Sequence, residues 1–213
     1  MGVVDFLNRY GDHLMRAIFV HLQYVFISVG AGFIIAFIAA VLLSRVPRFS
    51  KVVIPVLGIF QTVPGLVFIG VLFIYLGMKP ITVIIALSIY AIFPILKNTY
   101  TGIINVDDGL IEAARGCGMS NFQILYKIEI PNAMSSIFSG VRMSTIYTVS
   151  WAVLAAMIGL GGLGEFIYRG IETNNNVLII GGAVPAAILA MTLGYGLDLI
   201  EKKVTPRGLK GGR

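Results

Sequence analysis

The stretch I-E-A-A-R-G-C-G-M-S-N-F-Q-I-L-Y-K-I-E-I-P, Ile111 to Pro131, breaks into an otherwise oily chain, and its placement decides how the rest is read. Just before it, Asp107 and Asp108 can cap a helix, since a carboxylate satisfies orphan amides at the positive helix end. The helix through G-L-I-E-A-A-R-G-C is short, and Gly116 and Gly118, either side of Cys117, can supply a left-handed exit. Ser120-Asn121-Phe122-Gln123 has the spacing of a capping box and starts a second short helix. Phe122, Ile124, Leu125 and Ile128 give that helix an apolar face, and Pro131 is expected to end the run. Residues 107–131 therefore read as two capped helices at a membrane surface. Physics alone leaves two uses open, an amphipathic segment packed under a bundle or a docking surface.

Outward from this insert, the composition is that of an integral membrane protein. Hydrophobic residues make up 57% and charged residues 12% of the 213 positions, half the charge of ordinary soluble domains, and the mean hydropathy is +0.91. The first twenty residues, with Asp5, Arg9, Asp12 and Arg16, lack the pattern of a cleaved signal peptide. One cysteine excludes an internal disulfide framework. Five stretches can cross a hydrocarbon core about 30 Å thick, at approximately 19–44, 52–78, 81–104, 137–160 and 177–200. Arg45, Arg48 and Lys51 follow the first; Lys97, Arg115, Lys127 and Arg142 lie between the third and fourth. Lys202, Lys203, Arg207, Lys210 and Arg213 follow the fifth, leaving only Arg9, Arg16, Lys79 and Arg169 for the other side. Basic residues gather in cytoplasmic loops, so the amino terminus is expected outside, the carboxyl terminus inside and the insert in the cytoplasm. The same rule accounts for the net +6 charge without nucleic acid as a partner.

Glu112-Ala113-Ala114, then Gly118, then Ile128-Glu129-Ile130-Pro131 resembles the signature E-A-A-x3-G-x9-I-x-L-P of permease subunits of ABC importers, with Ile130 in place of leucine. The resemblance implies a single all-α permease domain over 1–213, of type I fold, with five transmembrane helices and a cytoplasmic coupling helix. It implies that Glu112 makes a polar contact with a separate ATPase subunit, that Ala113 and Ala114 allow close approach, that Gly118 forms the turn, and that Ile128 and Pro131 lead back to the membrane. Q-T-V-P-G (61–65), L-K-N-T-Y-T-G-I (96–103), G-L-G-G-L-G-E-F-I (159–167), E-T-N-N-N (172–176) and the tail E-K-K-V-T-P-R-G-L-K-G look like the osmoprotectant branch. That branch imports glycine betaine, carnitine or choline; the similarly small methionine permeases are the nearest rival. The partners so implied are two ATPase subunits, a second permease chain, an extracellular binding protein and lipid. The chain itself is expected to carry no cofactor and to be no enzyme, since G-x-x-x-x-G-K-[ST] is absent; ATP and magnesium would bind the partner.

Gln61, Thr62, Pro64 and Gly65 sit mid-run in the second span, where a proline marks either a transport path or a packing kink. Ser144, Tyr147, Thr148 and Trp151 share one face of the fourth span. They can line a path, offering aromatic faces to a quaternary ammonium, or simply join helices. The G-x-G-x-x-G at Gly159–Gly164 follows a span rather than a strand, so a glycine turn is favoured over a dinucleotide fold. His13 and His21 read as interfacial, with no metal partners. The spans show no ionisable residue at mid-depth and Asp198 stands alone near the inner end, which weighs against an ion-coupled carrier or a membrane-embedded enzyme.

Overall fold

A computed structural model describes residues 3–205, with side chains for 5–156 and 159–205. All regular structure in this range is helical. Helix α1 (Val3–Ser44) joins the charged start and the first apolar run into one rod. Its 42 residues extend roughly 63 Å at the α-helical rise of about 1.5 Å per residue, twice the hydrocarbon thickness. The surplus is used at its start, where Phe6, Leu14 and Ala17 bury themselves against Leu163, Phe166 and Leu178.

The second run is not one continuous helix. It forms α2 (Pro47–Phe60) and α3 (Gly65–Leu76), which meet at 92° across the break Gln61–Pro64. Pro64, extended at ψ 125°, cannot continue the helix behind it and instead starts the next one. Neither half, of 14 and 12 residues, reaches across a core about 30 Å thick by itself. Helix α4 (Pro80–Ile104) is continuous and the most enclosed. By length and composition, the described residues hold three helices able to cross a membrane, or four with the bent pair α2–α3 counted as one.

The fourth expected span begins earlier than its uncharged run suggests. Helix α7 (Ile130–Ala152) contains Arg142, then tightens into a 3-10 turn over Val153–Ile158. It is long enough to span, yet its serines, threonines and arginine keep it off the count of apolar helices. Three of those groups are turned inward: Ser144, Thr145 and Thr148 are buried in contact with neighbouring helices or their own backbone. Two charge assignments change with it. Asp198 is not alone, because Arg142 Nη1 donates to Asp198 Oδ1 and ties α7 to α9 (Asn176–Val204). His21 is not interfacial either; it is fully buried, its Nε2 3.0 Å from the carbonyl oxygen of Val149.

The core is built where α1, α4 and α7 meet. Tyr24, Val25, Val83, Leu87, Val149, Ala152 and Ala155 form its centre, and Ala36, Ala40, Ile95 and Leu96 continue it along α1 and α4. Gly159, Gly161 and Gly162 all have positive φ and turn the chain into α8 (Gly164–Glu172). His13 keeps its place at the periphery, 3.2 Å from Glu165 of that helix. Of the basic tail, Lys202 and Lys203 lie in the last turn of α9, and Arg207, Lys210 and Arg213 lie outside the described residues.

Candidate coupling segment and translocation path

The insert folds as two short helices held by their own termini. Asp107 Oδ1 accepts the amide of Leu110 at 3.2 Å and caps α5 (Asp108–Gly116). At its other end Gly118 sits at φ +77°, with the amide of Gly118 donating to Arg115 O at 2.9 Å and that of Met119 to Ala114 O at 3.1 Å. This pair of bonds is a Schellman motif, which requires a left-handed residue after the cap. The predicted capping box is present in both directions: Ser120 Oγ accepts from the Gln123 amide, and Gln123 Oε1 from the Ser120 amide. Glu112 and Ala113 are exposed and Ala114 is buried. Phe122 and Tyr126 are 75% and 67% exposed, a large apolar presentation for so short a segment.

Pro131 does not stop this run. Helix α6 (Asn121–Ile124) passes through a π turn, Leu125–Glu129, straight into α7, so the rod continues past the proline. The Ile130 amide donates back to Leu125 O, five residues earlier. The wider turn gives room to a proline ring and its missing amide, which an unbroken α-helix lacks. Ile128 and Pro131 are both half-buried at this elbow. Glu129, an unspecified position in the signature, is only 4% exposed. Arg45, at the end of α1, meets it with both guanidinium arms, Nη1 donating to Oε1 at 2.9 Å and Nη2 to Oε2. Beside this pair opens a groove of about 330 Å³, lined also by Asp108, Glu112 and Arg115.

At the α2–α3 break, α4 supplies a clamp that sequence reading missed. Tyr90 donates its hydroxyl to Val63 O at 2.7 Å, and Gln61 Nε2 donates to Tyr90 O at 3.2 Å. Val63 O lies at the break, and Tyr90 O lacks its helical donor because Pro94, four residues on, has no amide, so the clamp satisfies one carbonyl on each side. Phe60 and Phe68 pack edge-on to each other and around the Tyr90 ring. Trp151 of α7 stacks on Tyr90 with centroids 5.3 Å apart and planes 19° apart. Thr62 bonds Ile59 O and, with Pro64, stays exposed.

The four residues predicted to share a face of α7 divide in two. Ser144 and Thr148 are buried, donating to Ala91 O at 3.0 Å and to Ser144 O at 2.8 Å. Trp151 reaches the break, bringing it together with Gln61 through Tyr90. Tyr147 is 45% exposed and lines a groove of about 310 Å³ with Asn98, Ser139 and Arg142. No cluster of three or more His, Cys, Asp or Glu able to hold a metal occurs among the described residues.

Residues 32–209 match the family model described as binding-protein-dependent transport system inner membrane component. The carnitine transport permease protein OpuCB of Listeria monocytogenes is 40% identical over 212 residues, covering 100% of this chain and 97% of that one. The glycine betaine/carnitine/choline transport system permease protein OpuCB of Bacillus subtilis (strain 168) is 41% identical, covering 98% and 96%. Among solved structures, the inward-facing MetNI methionine ABC transporter in its native crystal form aligns with a TM-score of 0.82 at 22% identity, over 91% of this chain and 96% of that chain. An amino acid ABC transporter with histidines aligns at 0.77 and 22% identity, over 95% and 100%. At such identities the structural likeness speaks for the fold.

Proposed function

The chain belongs to the binding-protein-dependent transport system inner membrane components, and on that premise we propose that it is the permease subunit of an ABC importer for quaternary-ammonium osmoprotectants. It is a multi-pass membrane protein. On this reading the chain crosses five times, through α1, the broken pair α2–α3, α4, α7 and α9, with the amino terminus outside and the basic loops and α5–α6 in the cytoplasm; the bias of basic residues to that side supports it. The observation that carries the reading is the insert itself: capped α5 presents Glu112 outward, and capped α6 with the π turn after it presents Phe122 and Tyr126 on a run of helix that continues into α7. Such a surface suits a separate ATPase subunit, which binds ATP and magnesium. A second permease chain completes the pathway, and an external binding protein delivers substrate. Closure of two ATPase subunits pushes on α5 and α6, and the rod passes the displacement to the helices around the break.

Within the pathway, exposed Thr62, Pro64 and Tyr147 form the lining, and Tyr147 offers an aromatic face to a passing quaternary ammonium. Gln61, Ser144, Thr148 and Trp151 hold that wall in place. Glycine betaine, carnitine and choline are the substrates favoured by the named relatives. A second reading, an amino-acid permease of the methionine type, is favoured by the fold neighbours alone. Vesicles holding the permease, its ATPase and its binding protein discriminate the two. ATP-dependent uptake of labelled betaine, carnitine or choline is expected. Uptake of methionine with none of the three would overturn the osmoprotectant reading.

A further inference from the structure

We infer that Arg45 is a positioning residue that couples α1 to the docking segment, through its two-armed contact with Glu129. The inference rests on the proposed role of α5 and α6, and adds a route by which their movement reaches α1. Glu129 lies at the elbow where α6 passes through its π turn into α7. It is 4% exposed and makes both of its carboxylate oxygens available to one guanidinium. A two-armed arginine–carboxylate contact fixes direction as well as distance, because both groups are planar. The other contacts near this end of α1 are apolar: Phe33, Phe37 and Val41 pack against the cluster of Ile103, Ala133 and Ile137. Apolar surfaces can slide over one another; the forked contact cannot without breaking.

The surroundings favour this pairing over its neighbours. Asp108 and Glu112 line the same groove as Arg45, yet the hydrogen bonds of Arg45 go to the carboxylate at the elbow, not to the helix offered for docking. Glu112 stays outward and exposed while Glu129 is tied inward. A displacement of the elbow therefore carries the inner end of α1 with it. Removing either partner strands a charge, and in the case of Arg45 the stranded group is a buried carboxylate.

The test uses the assembled importer in vesicles, with wild type, Arg45→Glu, Glu129→Arg, the double reversal and Arg45→Lys. Arg45 is itself 43% exposed and only Glu129 is enclosed; substrate-stimulated ATP hydrolysis is expected to fall about tenfold or more in each single reversal, because each sets like charges against one another at this contact, and to recover substantially in the double. Arg45→Lys should fall between, since it keeps the charge and loses the fork. Co-purification of the ATPase at wild-type levels separates lost transmission from lost docking. A structural arm places spin labels at Leu42 and Lys127 in a Cys117→Ser background. One narrow distance is expected in wild type, broadened by Arg45→Gln. Normal hydrolysis in the single reversals, or an unchanged distance in Arg45→Gln, would overturn the inference. A wild-type complex without substrate stimulation would instead count against the proposed function, and the spin-label arm would still decide the role of Arg45.

Discussion

A β-carbon added at Gly65 would lie 2.2 Å from Cζ3 of Trp151, so any side chain there must push the indole off the Tyr90 ring. Overpacking of this sort costs about 1–3 kcal/mol. Gly65→Ala is expected to lower stability by that amount and to change the fluorescence of Trp151, the only tryptophan in the chain. An unaltered emission spectrum would show that the indole does not rest on Gly65. At Tyr90 the hydroxyl is the single group bonded to Val63 O across the break. Tyr90→Phe keeps the stack and removes the bond to that half-buried carbonyl, so a loss of about 0.5–1.5 kcal/mol is expected. Thermal unfolding of the purified permease reads both changes.

Among the elements, α6 starts on a capping box that depends on two reciprocal bonds. Ser120→Ala should cost about 1 kcal/mol of local stability, seen as faster hydrogen exchange at the amides of residues 121–125 with slower-exchanging α7 unaffected. The capped helices were legible in the sequence because each determinant acts on a group three residues away: Asp107 on Leu110, Gly118 on Arg115, and Ser120 and Gln123 on each other. The break at Pro64–Gly65 was half legible, since proline and glycine announce a bend but not its 92° angle or the Tyr90 clamp. Pro131 misled for a physical reason. A proline reads as a stop, and only the π turn ahead of it lets the helix continue.

Across the whole molecule, the pairings that hold helices together were hidden because they join distant positions. Arg45 and Glu129, and Arg142 and Asp198, were counted as loop or solitary charges; in the fold each neutralises the other between helices. His21 reads as interfacial in the sequence for a similar reason, since its partner, the carbonyl of Val149, is far away in the chain. The apolar runs announced long helices, whereas α7 starts at Ile130, ahead of the expected 137, because its polar residues are satisfied by protein. The central claim is that force from a partner's ATP hydrolysis enters through residues 107–131, and Gly118 tests it most directly. At φ +77° it occupies a conformation that costs an L-residue about 1–2 kcal/mol, more for a β-branched one, while asparagine tolerates it. ATP-driven uptake should therefore be measured in the reconstituted complex for Gly118→Val and Gly118→Asn. The account predicts uptake and substrate-stimulated hydrolysis nearly lost in the valine variant and largely kept in the asparagine variant, both inserted normally. Full uptake by Gly118→Val at normal expression would contradict it.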